Sequence, residues 1–137
     1  MQNYFDVQLE QDALHGISAL GLAHMGDGVF EVLVRSWLCV HGKATSGNLH
    51  RATVAHVSAP AQARRMERML PHLTEEELAI YKRGRNAHVH AVPKNATPGE
   101  YAKATGLECL FGWLFLRGET ARINELFVLT MEEDHAV

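Results

Sequence analysis

A chain of 137 residues, net charge −3 and 47% apolar, is long enough for one domain with its own core. Its longest apolar runs, FEVLVRSWLCV and LECLFGWLFL, are too short or too interrupted to cross a bilayer, which argues against a membrane partner. The start, MQNYFDVQLEQ, carries neither the basic residues nor the apolar stretch of a secretory leader, so a cytoplasmic protein is expected. Cys39 and Cys109 lie in apolar runs without metal-site spacing and read as reduced core thiols.

The pattern is helical throughout, with no alternating strand, repeat or long linker, and predicts an all-α fold. Ser18 caps a first helix that carries through LAHMGDGVFEVLVR to about Val40. After the turn-rich HGKATSG, a second helix covers residues 48–57, and a third restarts after Ser58 in SAPAQARRMERML, with Pro60 in its first turn. Thr74 and Glu77 form a capping-box signature at the start of LTEEELAIYKRGRNAH. Thr97, Pro98 and Glu100 combine a cap, a first-turn proline and a box partner at the start of the next helix. A last helix spans residues 119–129. The single domain occupies residues 1–137, with a loose tail expected from about 131. YKRGRNAHVHAVPKNATP reads as a helix end followed by an exposed, ordered loop, a common place for binding groups.

The charge is unevenly spread. Residues 35–68 carry Arg35, Lys43, Arg51, Arg64, Arg65 and Arg68 against Glu67 alone, and residues 78–99 carry Lys82, Arg83, Arg85 and Lys94 with no acid. An acidic chain can still present a basic face to phosphates, although such runs are often just solvated helix surface.

Two carboxylates sit where apolar helices should have none. Asp27 lies between Gly26 and Gly28, with Ala23 one turn back; glycine inside a helix costs roughly 1 kcal/mol against alanine. Glu108 lies in ATGLECLFGWLFL, with Ala104, Thr105 and Gly112 on its face. Small residues let two helices approach and bring Asp27 and Glu108 together. A facing pair needs a shared proton, a cation such as Arg35 or Lys103, or a divalent metal, for which all-oxygen ligation suits magnesium or manganese. The spacing leaves all three open. The nine histidines form no HExxH motif, and His88 and His90 could share a metal only on extended backbone.

LAHMGDGVFEVLVR, HRATVAHVSAPAQA, YKRGRNAH and VPKNAT with EYAKATGLECLFGWLFL occur in an order that resembles the Mini-ribonuclease III family, from about residue 14 to 127. These are small bacterial relatives of ribonuclease III without its double-stranded RNA-binding domain. The resemblance implies the all-helical ribonuclease III catalytic fold, a homodimer, and magnesium-dependent endonucleolytic cleavage of double-stranded RNA in 23S ribosomal RNA maturation. A ribosomal protein is a candidate further partner. It implies Asp27 and Glu108 as the catalytic, metal-holding pair, the counterparts of the Gly-Asp and Glu-Ala motifs of the larger enzymes. Those enzymes carry further acids where this chain has Ala23 and Thr105. Glu31, one turn past Asp27, reads as a supporting or Arg35-paired residue rather than a ligand. On this reading Gly26 and Gly28 keep bulk away where helices or RNA approach. Lys82, Arg83, Arg85, Asn86, His88 and Lys94 would meet the RNA backbone. His24, where the larger enzymes have an aromatic that plugs into the partner subunit, and Met25 would form the dimer contact. The alternatives are a catalytically weak RNA-binding factor on the same scaffold, and a helical metal phosphohydrolase. The latter would want a His-Asp dipeptide in a helix, where this chain has only Asp134-His135.

Overall fold

In the computed structural model the helices are α1 (Gln11–His15), α2 (Ala19–Val40), α3 (Leu49–Val57), α4 (Ala59–Met69), α5 (Glu75–Arg85), α6 (Pro98–Leu116) and α7 (Thr120–His135). A short 3-10 turn, Leu70–His72, follows α4, and there is no strand among the described residues. The structure describes residues 1–42, 47–87, 92 and 94–135, with the backbone alone for 132–135.

Local chemistry sets the helix starts. Ser18 Oγ accepts from the Gly21 amide at 3.0 Å. Thr74 with Glu77, and Thr97 with Glu100, close reciprocal capping boxes with bonds of 2.9 and 3.1 Å. Each satisfies amides that the first helical turn leaves without partners.

Burial then arranges the helices around α6. From Ala104 to Leu114 only Glu108 on α6 is not fully buried, so the helix is apolar all round and belongs in the interior. It packs against α2, α4, α5 and α7. On α2 the buried stripe is Leu22, Ala23, Gly26, Phe30, Val34 and Leu38. Phe30 meets Phe111 and Phe127 edge-on, each with centroids 6.0 Å apart. Cys39 lies about 100° beyond Leu38 around the helix and is exposed. The expectation of two core thiols therefore holds for Cys109 only.

The α2–α6 crossing is a backbone contact. A Cβ on Gly26 would lie 1.6 Å from Glu108 O, and one on Gly112 would lie 1.9 Å from Leu22 O. Neither neighbour can yield without moving a helix. Gly28 is different, because a Cβ there would meet nothing within 4 Å. The expected clearance role is correct for Gly26 and is not found within the chain for Gly28.

Two elements depart from the sequence reading. The five-residue α1 was not anticipated, being too short for a periodic pattern. The last helix continues to His135 instead of ending near residue 129, because TMEEDH holds neither glycine nor proline to stop it. Arg122 anchors α7 by donating to both Glu77 oxygens and to His72 O, each at 2.8 Å.

Gly26→Ala should destabilise the protein by about 3 kcal/mol or more, the upper range for overpacking against an unyielding neighbour. Gly28→Ala should stabilise it by about 0.5–1 kcal/mol through helix propensity. Urea unfolding midpoints at constant slope measure both, and equal effects at the two positions would contradict the crossing described.

Candidate active site

The crossing fixes the site. Gly26 sits on the Glu108 carbonyl, so the next residue, Asp27, emerges beside the Glu108 side chain. Leu20, Ala23, His24 and Asp27 of α2 and Tyr101, Thr105 and Glu108 of α6 line a cleft of about 270 Å³. Asp27 is exposed at its mouth and Glu108 is half-buried. Burial, then the hydrogen bond to Asp27 and its charge, push the Glu108 carboxyl up to about 8, partly offset by the Gln62 amide. Near neutral pH the pair therefore holds a proton between its oxygens.

The cations that sequence spacing offered to the pair are engaged elsewhere. Arg35 pairs with Glu31 at 3.4 Å, and Lys103 is hydrogen-bonded to Glu67 on α4. Glu31 is thus the Arg35-paired residue and does not line the cleft. The positions at which the resemblance puts extra acids in the larger enzymes give the cleft uncharged wall instead. Ala23 is buried, and the buried Thr105 hydroxyl donates to Tyr101 O at 2.9 Å. No group of three or more potential His, Cys, Asp or Glu ligands forms among the described residues.

The basic residues lie on α5 and beyond it. Gly84 presses α5 onto α6, where its Cβ would fall 2.4 Å from Cys109 Cβ. That contact leaves Lys82 and Arg83 exposed. Arg85 is half-buried, with its guanidinium 5.6 Å from the Tyr81 ring centroid and its Nε donating to Asn86 Oδ1 at 3.2 Å. Asn86 and Lys94 are exposed. His88 and His90, and most of the loop expected there, lie outside the described residues. His24 and Met25 face different surfaces. His24 lines the acidic cleft, whereas Met25 lines an apolar one with Tyr4, Phe5, Val29 and Val32.

Residues 20–119 match the family described as the Ribonuclease III domain. The chain is 44% identical over 112 residues to Mini-ribonuclease 3 of Enterococcus faecalis, covering 80% of this chain and 85% of that one. It is 43% identical over 107 residues to Mini-ribonuclease 3 of Symbiobacterium thermophilum, covering 78% and 82%. This chain belongs to the Mini-ribonuclease 3 family. It is an endoribonuclease of the ribonuclease III type. Mini-ribonuclease 3 of Clostridium tetani is 35% identical over 133 residues, covering 96% and 88%. Among solved structures, a Fusobacterium nucleatum protein superposes with a TM-score of 0.80 at 26% identity, covering 88% of this chain and 97% of its own.

Within this Mini-ribonuclease 3, sequence reasoning missed two residues at the acidic pair. Tyr101 enters the cleft wall from the first turn of α6. Gln62 on α4 is only 3% exposed, and its amide opposes the rise of the Glu108 carboxyl. The available signal was its spacing: Gln62 shares a helical face with Met66 and Met69, both fully buried.

The raised Glu108 value has a definite sign. Between the ordinary carboxyl value of 4.5 and about 8, the folded chain binds a proton that the unfolded chain releases. Stability of the metal-free protein from this group therefore falls as pH rises through that window. Glu77, held low by Arg122, acts below the window and does not mask it. Thermal melting with a chelator should show the decline, and Glu108→Gln should flatten it. An equally steep decline in that variant would contradict the shared proton.

Proposed function

We propose that this Mini-ribonuclease 3 is a homodimer that cuts both strands of double-stranded RNA in a magnesium-dependent reaction, acting on 23S ribosomal RNA precursor in the cytoplasm. The observation that carries the reading is the pair Asp27 and Glu108, two carboxylates facing one cleft with their candidate cations engaged elsewhere. An all-oxygen donor pair of this kind fits magnesium, with manganese as an acceptable substitute. When bound, magnesium supplies an activated water and neutralises charge on the phosphate, giving 5′-phosphate and 3′-hydroxyl ends. Asp27 and Glu108 would hold the ion, both as carboxylates. Ala23 and Thr105 add no further charge, so the cleft keeps room for solvent and phosphate.

A-form RNA is recognised through shape, phosphates and 2′-hydroxyls across its wide minor groove. Lys82, Arg83 and Lys94 supply exposed cations for that contact and Asn86 a neutral donor. Arg85 supports them through Tyr81. His88 belongs to the same proposed surface.

The dimer reading draws on the apolar cleft of about 280 Å³ on the other side of α2. Phe5 is 84% exposed and Val32 59%, beside Met25, Val29 and Phe115. A contiguous apolar patch of this kind marks a contact surface. A two-fold axis there gives each strand of the duplex its own acidic pair, since the strands are themselves related by local two-fold symmetry. Met25 is the centre of this contact and His24 its edge toward the acidic cleft.

Incubation with a precursor stem, with and without magnesium, followed by end mapping, tests the reading. Asp27→Asn and Glu108→Gln should abolish cutting while duplex binding persists. A mixed dimer carrying one Asp27→Asn subunit should nick a single strand per encounter. Near wild-type cutting by either variant, or double-strand cutting by the mixed dimer, would sink the assignment.

Charge reversal at Lys82 and Arg83 should weaken duplex binding and reduce the log–log salt slope by roughly one unit per lost phosphate contact. An unchanged slope would remove α5 from the RNA surface.

A further inference from the structure

We infer that Tyr101 is the residue through which the acidic cleft recognises the strand it cuts, its phenol hydroxyl taking the 2′-hydroxyl of a ribose beside the scissile phosphate. The inference rests on the reading of Asp27 and Glu108 as the metal-holding pair. Tyr101, Thr105 and Glu108 recur at helical spacing and form the α6 wall of the acidic cleft. The Tyr101 backbone is held on both sides. Its amide donates to Thr97 O at 3.0 Å, within the capping box of Thr97 and Glu100, and its carbonyl accepts from the Thr105 hydroxyl at 2.9 Å. The ring therefore stands on a fixed base.

The two glycine contacts give the cleft a direction. Gly26 meets the Glu108 carbonyl and Gly112 meets the Leu22 carbonyl, so α2 advances as α6 retreats and the helices run antiparallel. Their N-terminal halves lead away from the crossing in opposite directions. Leu20 and His24 thus lie to one side of the acidic pair, and Tyr101 lies to the other. Tyr101 precedes Glu108 by two helical turns, about 10 Å along the axis. A strand lying along the cleft with one phosphate on the pair brings a neighbouring nucleotide to Tyr101.

Chemistry selects the group that Tyr101 meets. Paired bases are stacked inside a duplex, which leaves an aromatic side chain outside it no base face to cover. A phosphate calls for a cation, and neither lysine nor arginine lines the cleft: Lys103 is bonded to Glu67 and Arg35 to Glu31. What remains is the ribose. A 2′-hydroxyl both donates and accepts, as a phenol does, and A-form RNA displays it across the wide minor groove. Thr105, the other hydroxyl on this wall, spends its proton on the Tyr101 carbonyl. The phenol is then the hydroxyl of the α6 wall that can donate to a ligand. Such a contact distinguishes RNA from DNA at one nucleotide, whatever its base.

The test is a 2′-deoxy scan with the full-length protein in magnesium. Each duplex carries a single 2′-deoxynucleotide at one position flanking the cut. Wild type should lose about 3–10-fold in kcat/KM at one of these positions, the worth of one hydrogen bond between neutral groups. Tyr101→Phe should lose the same factor on the all-RNA duplex and be indifferent to the deoxy substitution at that position. A flat wild-type scan, or a Tyr101→Phe scan that keeps the wild-type sensitivity at every position, would overturn the inference. If Tyr101→Phe does not fold, fluorotyrosine-labelled wild type decides, with a chelator present so that the duplex stays whole. The Tyr101 fluorine signal should differ between the all-RNA duplex and the duplex that is deoxy at the sensitive position, and an identical signal in both would overturn it. The underlying reading fails separately. Active Asp27→Asn or Glu108→Gln refutes the metal pair, whereas inactive ones alongside a Tyr101→Phe scan like that of wild type refute only the role of Tyr101.

Discussion

The contact between the Gly26 α-carbon and the Glu108 carbonyl governs the rest of the molecule. Helices ordinarily keep their axes 8–10 Å apart because side chains intervene. Here a missing Cβ on each helix, at Gly26 and at Gly112, lets the backbones touch. The register of α2 on α6 is then set by two interlocked points a turn apart on each helix. Everything chemical in the protein hangs from that register. Asp27 follows Gly26 directly, and Glu108 supplies the carbonyl that Gly26 rests on. The pair is therefore placed by main chain, which is stiffer than any side-chain contact.

The electrostatic organisation follows from the same geometry. Four other glutamates are matched with cations: Glu77 with Arg122, Glu67 with Lys103, Glu31 with Arg35, Glu76 with Arg117. Glu77 is driven below its usual range by its guanidinium, while Glu108, beside another carboxylate and partly desolvated, is driven far above it. Two glutamates thus titrate in opposite directions. Such a split separates a structural ion pair from the acidic pair proposed to hold magnesium. The exposed pairs contribute little to stability in water.

Where the chain begins its helices was legible because capping is local chemistry: Ser18, Thr74 and Thr97 announce themselves within three residues. Asp27 and Glu108 were legible as anomalies, charges in apolar helices surrounded by small residues. Gln62 was not, since glutamine on a helix is ordinary and its burial depends on how α4 folds back after Ser58. Gly28 finds no neighbour to clear within the chain, for a related reason. A glycine's purpose lies in what stands opposite it, and Gly26 and Gly28 differ only by a rotation of about 200° around the helix axis. The exposed Tyr4 and Phe5 precede the first helix and carry no periodic signal, so their joining Met25 and Val32 at one surface emerges only in three dimensions. The end of α7 was misplaced because no residue marks it.

Glu108 stands midway along a helix that is otherwise fully buried from Ala104 to Leu114. Catalytic groups are commonly carried on loops, which can vary without endangering the fold. The proposed reacting centre of this enzyme stands on the strut that holds up the building. On that reading a substitution on the buried face of α6 is tested twice, once for folding and once for chemistry. On the proposed reading, diversity in the RNAs chosen falls to positions free of that double demand, such as the exposed Lys82, Arg83 and Lys94. The division makes the core conservative and the periphery inventive, with substrate choice able to evolve while the cutting machinery stands still.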